Sequence, residues 1–150
     1  MASGSFDRAF RSSQSPADCW AVLTDVDRLA DWVDIVSDVT VRDYLKSYGA
    51  TLEDRIGPFR LRADLDIEVT DTRVRELIAF EATGQDRQVG SRLTIRASMS
   101  LDPAGEGTTV RFEGTYAVEG RVATVGAPMI RRKADALLAK FIARAGTELQ

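Results

Sequence analysis

Few side chains in this sequence could do chemistry, and what is missing narrows the choice first. The 150 residues include no histidine and one cysteine, Cys19. Without histidine there is no imidazole general base, no imidazole metal ligand and no histidine-activated nucleophile. A single cysteine makes neither a disulfide framework nor a thiolate zinc site. Cys19 falls in an apolar helical stretch, where it reads as inert packing. Three lysines, Lys46, Lys133 and Lys140, complete the inventory of amines, and a buried catalytic lysine is not expected. No metal or cofactor is implied. The groups worth following are Asp54, Tyr116 and Arg8.

Asp54 shares strand parity with Ala50, Leu52 and Ile56, which aims it inward. A buried, unpaired carboxylate costs several kcal/mol or titrates upward. Such a group could anchor a ligand hydroxyl or serve as an acid or base. The plainer account, preferred here, puts Asp54 beside the Gly57 turn where the strand meets water, or on a bulge that turns it out. Tyr116 also faces inward, and its hydroxyl needs a partner when buried. That partner is either the polar end of a ligand or a bound water. Arg8 lies between Phe6 and Phe10 on one strand face and reads as solvent-exposed. Arg131-Arg132-Lys133, with Arg121 nearby, forms a basic cluster that could meet anionic lipid or an acidic partner. Arg131 and Asp135 are spaced i, i+4, so the preferred reading is a solvated face. Asp64, Asp66 and Glu68 form an outward row on one strand, which is a solvated face and not a catalytic dyad.

Positioning these groups falls to elements with clear periodicity. Residues 5–11 alternate as a short strand. Ser15 can cap a helix, Pro16 suits its first position and Asp18 follows three residues after the cap. Cys19, Trp20 and Leu23 make its apolar face. Asp25 or Asp27 can cap a second short helix carrying Val26, Leu29, Ala30 and Val33. The period then changes from 3.6 to 2. Val39 and Val41 mark one strand, and residues 49–56 another. Gly57-Pro58 signals a turn. The cleanest alternation follows: Phe59, Leu61, Ala63, Leu65, Ile67 and Val69 point one way, charged residues the other. Strands are expected over 76–83, 91–101 and 108–118, with breaks at 84–90 and 102–107. Residues 121–147 read as one helix, about 40 Å long at 1.5 Å per residue.

The length suits one domain over residues 1–150. A net charge of −3, with 23 acidic and 20 basic residues interspersed, does not suggest nucleic acid. No run of about 20 apolar residues could span a bilayer, and Met1-Ala2-Ser3-Gly4-Ser5 lacks signal-peptide features. The expected location is the cytoplasm. The element order is strand, two short helices, about six strands and a long helix, an α+β arrangement. A sheet with one apolar face must be covered, and only the last helix is long enough. Long strands twist and coil, so the sheet curves around that helix. A gap between them is a natural apolar pocket. Small inward residues (Ala50, Ala63, Ala82, Ala97, Gly114, and Gly126 and Ala134 on the helix) support a pocket over a solid core. Gly126 inside a helix costs about 1 kcal/mol relative to alanine, which suggests close approach to a neighbour.

Ser15-Pro16-Ala17-Asp18-Cys19-Trp20 with Leu23-Thr24-Asp25 resembles the first helix of the SRPBCC (START-like) superfamily. Gly57-Pro58-Phe59, Gly90-Ser91, Gly107-Thr108-Thr109-Val110 and Gly120-Arg121-Val122-Ala123-Thr124-Val125-Gly126 are similar, more narrowly, to the CoxG-like family, named for a subunit of carbon monoxide dehydrogenase. The resemblance covers nearly the whole chain. It implies a helix-grip fold with an apolar cavity, and an accessory role beside an oxidoreductase: handling a membrane quinone, or assembly and anchoring of a molybdenum hydroxylase. Asp34-Ile35 stands where the family usually shows Pro-Gly after Trp32-Val33. The linker and apolar C-terminal anchor of some members are not expected.

The expected function is non-catalytic binding of a hydrophobic small molecule, such as a quinone or other lipid. Its site would use the strand residues Leu52, Asp54, Phe59, Leu61, Phe80, Ile95, Phe112 and Tyr116, and the helix residues Met129, Ile130 and Ala134. Peripheral membrane contact is compatible with the basic cluster. The rival readings are a polyketide cyclase or aromatase using Asp54, Tyr116 and Arg8, and a docking module for a molybdenum hydroxylase.

Overall fold

A computed structural model of the chain describes residues 1–88 and 90–150. The chain order is β1 (Ala2–Ser12), α1 (Pro16–Leu23), α2 (Val26–Ala30), β2 (Val36–Asp43), β3 (Ser47–Ile56), β4 (Phe59–Arg73), β5 (Leu77–Asp86), β6 (Ser91–Ala104), β7 (Gly107–Gly120) and α3 (Arg121–Glu148). All seven strands form one antiparallel sheet in the order β1-β7-β6-β5-β4-β3-β2. β1 crosses over to pair with β7, and the rest is a meander joined by hairpins.

The helix starts follow the local chemistry. The Ser15 hydroxyl accepts the Asp18 amide at 3.2 Å, with Pro16 in the first turn of α1. Asp25 caps α2 by accepting the Arg28 amide at 3.4 Å. The strands are longer than their apolar alternation. β1 begins at Ala2, not at residue 5, because Ala2 pairs with Val118 and is fully buried. β4 continues to Arg73 through a register shift between Val69 and Asp71 that bends the strand. The expected break at 102–107 shrinks to a tight turn, since Pro103 still pairs with Thr108. β5 likewise runs on to Asp86, and Val89, within the expected break at 84–90, lies outside the described residues.

α3 differs from a straight rod. Gly126 has φ −115° and ψ 19°, which are not helical, and the axis kinks there. Pro128 stands just beyond, where its missing N–H is tolerated as at any helix start. A Cβ at Gly126 would lie 2.8 Å from Ile56 Cγ2, so the close approach expected of this glycine is met on β3. The far end of α3 is pinned: Gln14 Nε2 donates to the Glu148 carbonyl (3.3 Å) and to the Gln150 carbonyl (3.1 Å), and the Ser12 hydroxyl donates to the Leu149 carbonyl. Leu149 is fully buried.

The core is split. One cluster gathers Cys19, Leu23, Trp32, Leu101, Val110, Ala145 and Leu149 under α1, α2 and the end of α3. A second gathers Ala2, Ile56, Val118, Val122 and Ile130 under the start of α3. A third, Ala50, Leu52 and Leu65, lies on β3 and β4, away from the helix.

Candidate functional site

The helix packs chiefly over β1 and β7 and leaves the inner faces of β3, β4 and β5 less covered. Between them lies a cavity of about 480 Å³ with an overwhelmingly apolar wall. Side-chain size explains its position. At the α1 end, Phe10 stacks on Phe112 (centroids 6.2 Å apart), Phe112 meets Phe141 edge-on (5.3 Å), and Phe141 meets Trp32 (5.5 Å). These rings fill the space. In the middle of the sheet the inward positions include Ala50, Ala63, Ala82 and Ala97, opposite Ala134 on α3, and the layers do not meet. Leu61, Phe80, Leu93 and Ile95 are therefore only half-buried although they sit mid-sheet.

Nine of the eleven residues expected at the site line this cavity: Leu52, Asp54 and Leu61 from β3 and β4, Phe80 and Ile95 from β5 and β6, Phe112 and Tyr116 from β7, and Ile130 and Ala134 from α3. Phe59 and Met129 do not. Phe59 packs against the cluster around Ile56 and Val122 and is not among the residues that line the cavity. The Met129 sulfur accepts the Gly57 amide at 3.0 Å, which draws that side chain to the β3–β4 turn. The sequence reading also missed wall residues contributed by α2 and the segment after it, among them Leu29, Val33 and Ile35, and Leu45 in the β2–β3 turn. The helical spacing of Leu29 and Val33 signalled burial but not the element they would face, and Ile35 and Leu45 carried no periodic signal.

Asp54 points inward, and neither the turn nor a bulge removes it to solvent. Its side chain is 16% exposed, and Oδ1 accepts Lys133 Nζ at 2.9 Å and the Arg55 amide at 2.7 Å. Lys133 is thus drawn out of the solvated cluster to which sequence assigned it, across the gap from α3 to β3. Arg131 and Arg132 remain exposed. Seven residues further along the same helix, Lys140 Nζ reaches Asp34 at 2.8 Å, an exposed pair. Arg8 is exposed, at the sheet edge. Asp64, Asp66 and Glu68 are exposed as expected, with Asp66 paired to Arg42 at 2.7 Å.

Tyr116 lies over Gly4 of β1, where any Cβ would come within 2.7 Å of the ring; glycine is what lets the ring lie flat there. Burial pushes its hydroxyl above the usual phenol range, Asp135 adds to the rise and Arg131 opposes it. Tyr116 therefore stays a neutral phenol, able to donate or accept. Burial also raises Tyr48, whose oxygen accepts the Leu45 amide at 2.6 Å. Cys19 is buried, its thiol near the Ser12 hydroxyl at 3.5 Å, and plays a packing role. Among the described residues no cluster of His, Cys, Asp or Glu could hold a metal ion, and no helix is long and apolar enough to cross a membrane.

Comparison with solved structures supports the same architecture. A conserved protein from Geobacillus kaustophilus superposes with a TM-score of 0.75 at 20% identity, covering 98% of this chain and 94% of that one. A protein from Deinococcus radiodurans gives 0.67 at 18% identity, covering 97% and 96%. The di-domain ARO/CYC StfQ from the steffimycin biosynthetic pathway gives 0.64 at 10% identity, with this chain spanning 51% of it. At such identities the likeness speaks for the helix-grip fold alone. No curated protein matches the chain significantly. The model of the CoxG family, named for a subunit of carbon monoxide dehydrogenase, matches residues 9–150, and with that span the chain belongs to the CoxG family.

Proposed function

We propose that this protein binds a hydrophobic small molecule without transforming it, and does so as an accessory to an oxidoreductase. One observation carries the reading: an apolar cavity of about 480 Å³ lies between the sheet and α3. That is the size and character of a small-ligand site. An empty apolar space of this volume is costly to keep, and a ligand that fills it recovers the lost contacts. A quinone or other lipid suits such a wall, and CoxG family membership supports the accessory role. The site residues would be those named above, with Phe59 and Met129 outside the lining.

Native mass spectrometry of protein purified from cells, paired with lipid extraction, tests this reading. A co-purifying or re-bindable apolar molecule is expected. Protein that neither carries nor takes up any apolar molecule would overturn it.

A catalytic reading draws on a different observation. The Asp54–Lys133 pair and the neutral Tyr116 phenol give the cavity polar groups of the kind a cyclase or aromatase needs. Similarity to StfQ, and to a putative protein of the dynemicin biosynthetic locus, adds fold-level support. With no histidine in the chain, we rank it second. Turnover of a linear poly-β-ketone that is lost in Tyr116→Phe and Asp54→Asn would promote it.

A further inference from the structure

Among the described residues, one fully buried side-chain hydroxyl is left without a partner, and it belongs to a residue of the cavity wall. Ser91 is 4% exposed, lines the cavity, and its hydroxyl has no hydrogen-bond partner among the described residues. It stands at the start of β6, between Gly120 of β7 and Asp86 of β5 in the ladder. Its parity is that of Leu93, Ile95 and Met99, which also line the cavity. A buried hydroxyl left unpaired is a standing cost that an incoming oxygen function can remove.

The surrounding charges decide what kind of oxygen. Asp86, directly across from Ser91, is 5% exposed and accepts the Arg62 amide at 2.7 Å and the Gln88 amide at 2.9 Å. The charged side chains on the wall are Asp54, Asp86, Arg92, Lys133 and Asp135, three acids against two bases. Lys133 is already taken by Asp54, and Arg92 is exposed. No free cation is left inside the cavity, among the described residues, to compensate an anionic head group. A carboxylate brought to Ser91 would meet Asp86 in a poorly solvated setting.

We propose that the cavity takes an uncharged amphiphile whose hydroxyl or carbonyl oxygen hydrogen-bonds Ser91, and that it rejects the same chain ending in a carboxylate. The inference rests on the cavity being a ligand site and adds a head-group class and an anchoring residue to it.

Competition against the neutral dye Nile red at pH 8 tests it, with dodecane, 1-dodecanol, 2-dodecanone and dodecanoate as competitors on wild type and Ser91→Ala. In the wild type, dodecanoate should compete at least about tenfold more weakly than dodecanol. Ser91→Ala should weaken dodecanol, dodecanone or both by about fivefold, the worth of one hydrogen bond, and leave dodecane unchanged. The alcohol and ketone arms tell which head group the hydroxyl takes. Equal affinities of wild type and Ser91→Ala for all competitors, or a preference for dodecanoate, would overturn the inference while leaving the cavity reading intact. No binding of dye or any competitor would overturn both.

Discussion

The two halves of the space between sheet and α3 are built from the same layers and end up differently. Toward the C-terminal end of α3, aromatic rings from β1, β7, the α2–β2 connection and the helix itself interlock, and the end of α3 is tied down by Ser12 and Gln14. Toward the middle, alanines face alanine and the layers stand apart. A hollow in a folded protein forgoes dispersion contacts. The filled half supplies the stability that lets the other half stay open. The ion pairs follow the same division: Arg28 and Arg144 grip Glu148 at the filled end (2.8 and 3.1 Å), while Lys133 spans the hollow to Asp54.

Substitutions at the filled end should cost most. Phe112→Ala removes the ring that touches both Phe10 and Phe141, and an expected loss of about 3–5 kcal/mol would be read by urea denaturation. A much smaller loss would mean that the rings are not interlocked.

Two alanines on the same helix compare the halves directly. Ala145 is fully buried in the filled end, and Ala134 faces the cavity. Ala145→Leu should destabilise by about 1–3 kcal/mol through overpacking. Ala134→Leu should not destabilise, should add up to about 0.5–2 kcal/mol, and should reduce the capacity for apolar dye, because its extra atoms fill open space. Equal penalties at both sites would erase the distinction.

A smaller effect is expected at the strap across the hollow. In a double-mutant cycle on Asp54→Ala and Lys133→Ala, the coupling should be about 0.5–1 kcal/mol, since the lysine side chain is 37% exposed and the pair is screened by solvent. A coupling indistinguishable from zero would show that the pair does not hold α3 to β3.

The smallest effect concerns pH. Hydrogen bonds from Arg144 and Arg28 hold the Glu148 carboxyl below its ordinary value of 4.5. A carboxylate with a depressed folded pKa contributes stability that is present above 4.5 and is lost as pH falls through the lower folded value. Glu148→Gln should therefore flatten the acid limb of a Tm-against-pH curve and leave the curve above pH 6 parallel to wild type, about one and a half units clear of that titration. An unchanged acid limb would disconnect this pair from stability.

Much of the architecture was legible in the residues because its causes are local. The alternation from Phe59 to Val69 names a half-buried strand by period alone, and Ser15-Pro16 names a helix start by one hydrogen bond and one missing N–H. Strand parity put seven of the expected residues on the cavity wall, and the helical stripe of α3 put Ile130 and Ala134 there. What escaped was long-range. Lys133 reads as part of a basic surface run until β3 brings Asp54 within 2.9 Å of it, seventy-nine positions away. Met129 reads as a pocket residue until the Gly57 amide takes its sulfur. Gly126 announces a close neighbour, but that the neighbour is Ile56, and that the helix kinks there, depends on how α3 lies over the sheet. Periodicity is a property of consecutive residues, so sequence alone determined which faces are apolar. How far apart two such faces come to rest depends on side-chain volumes meeting across the fold, and only the tertiary structure decided where the space between them stays open.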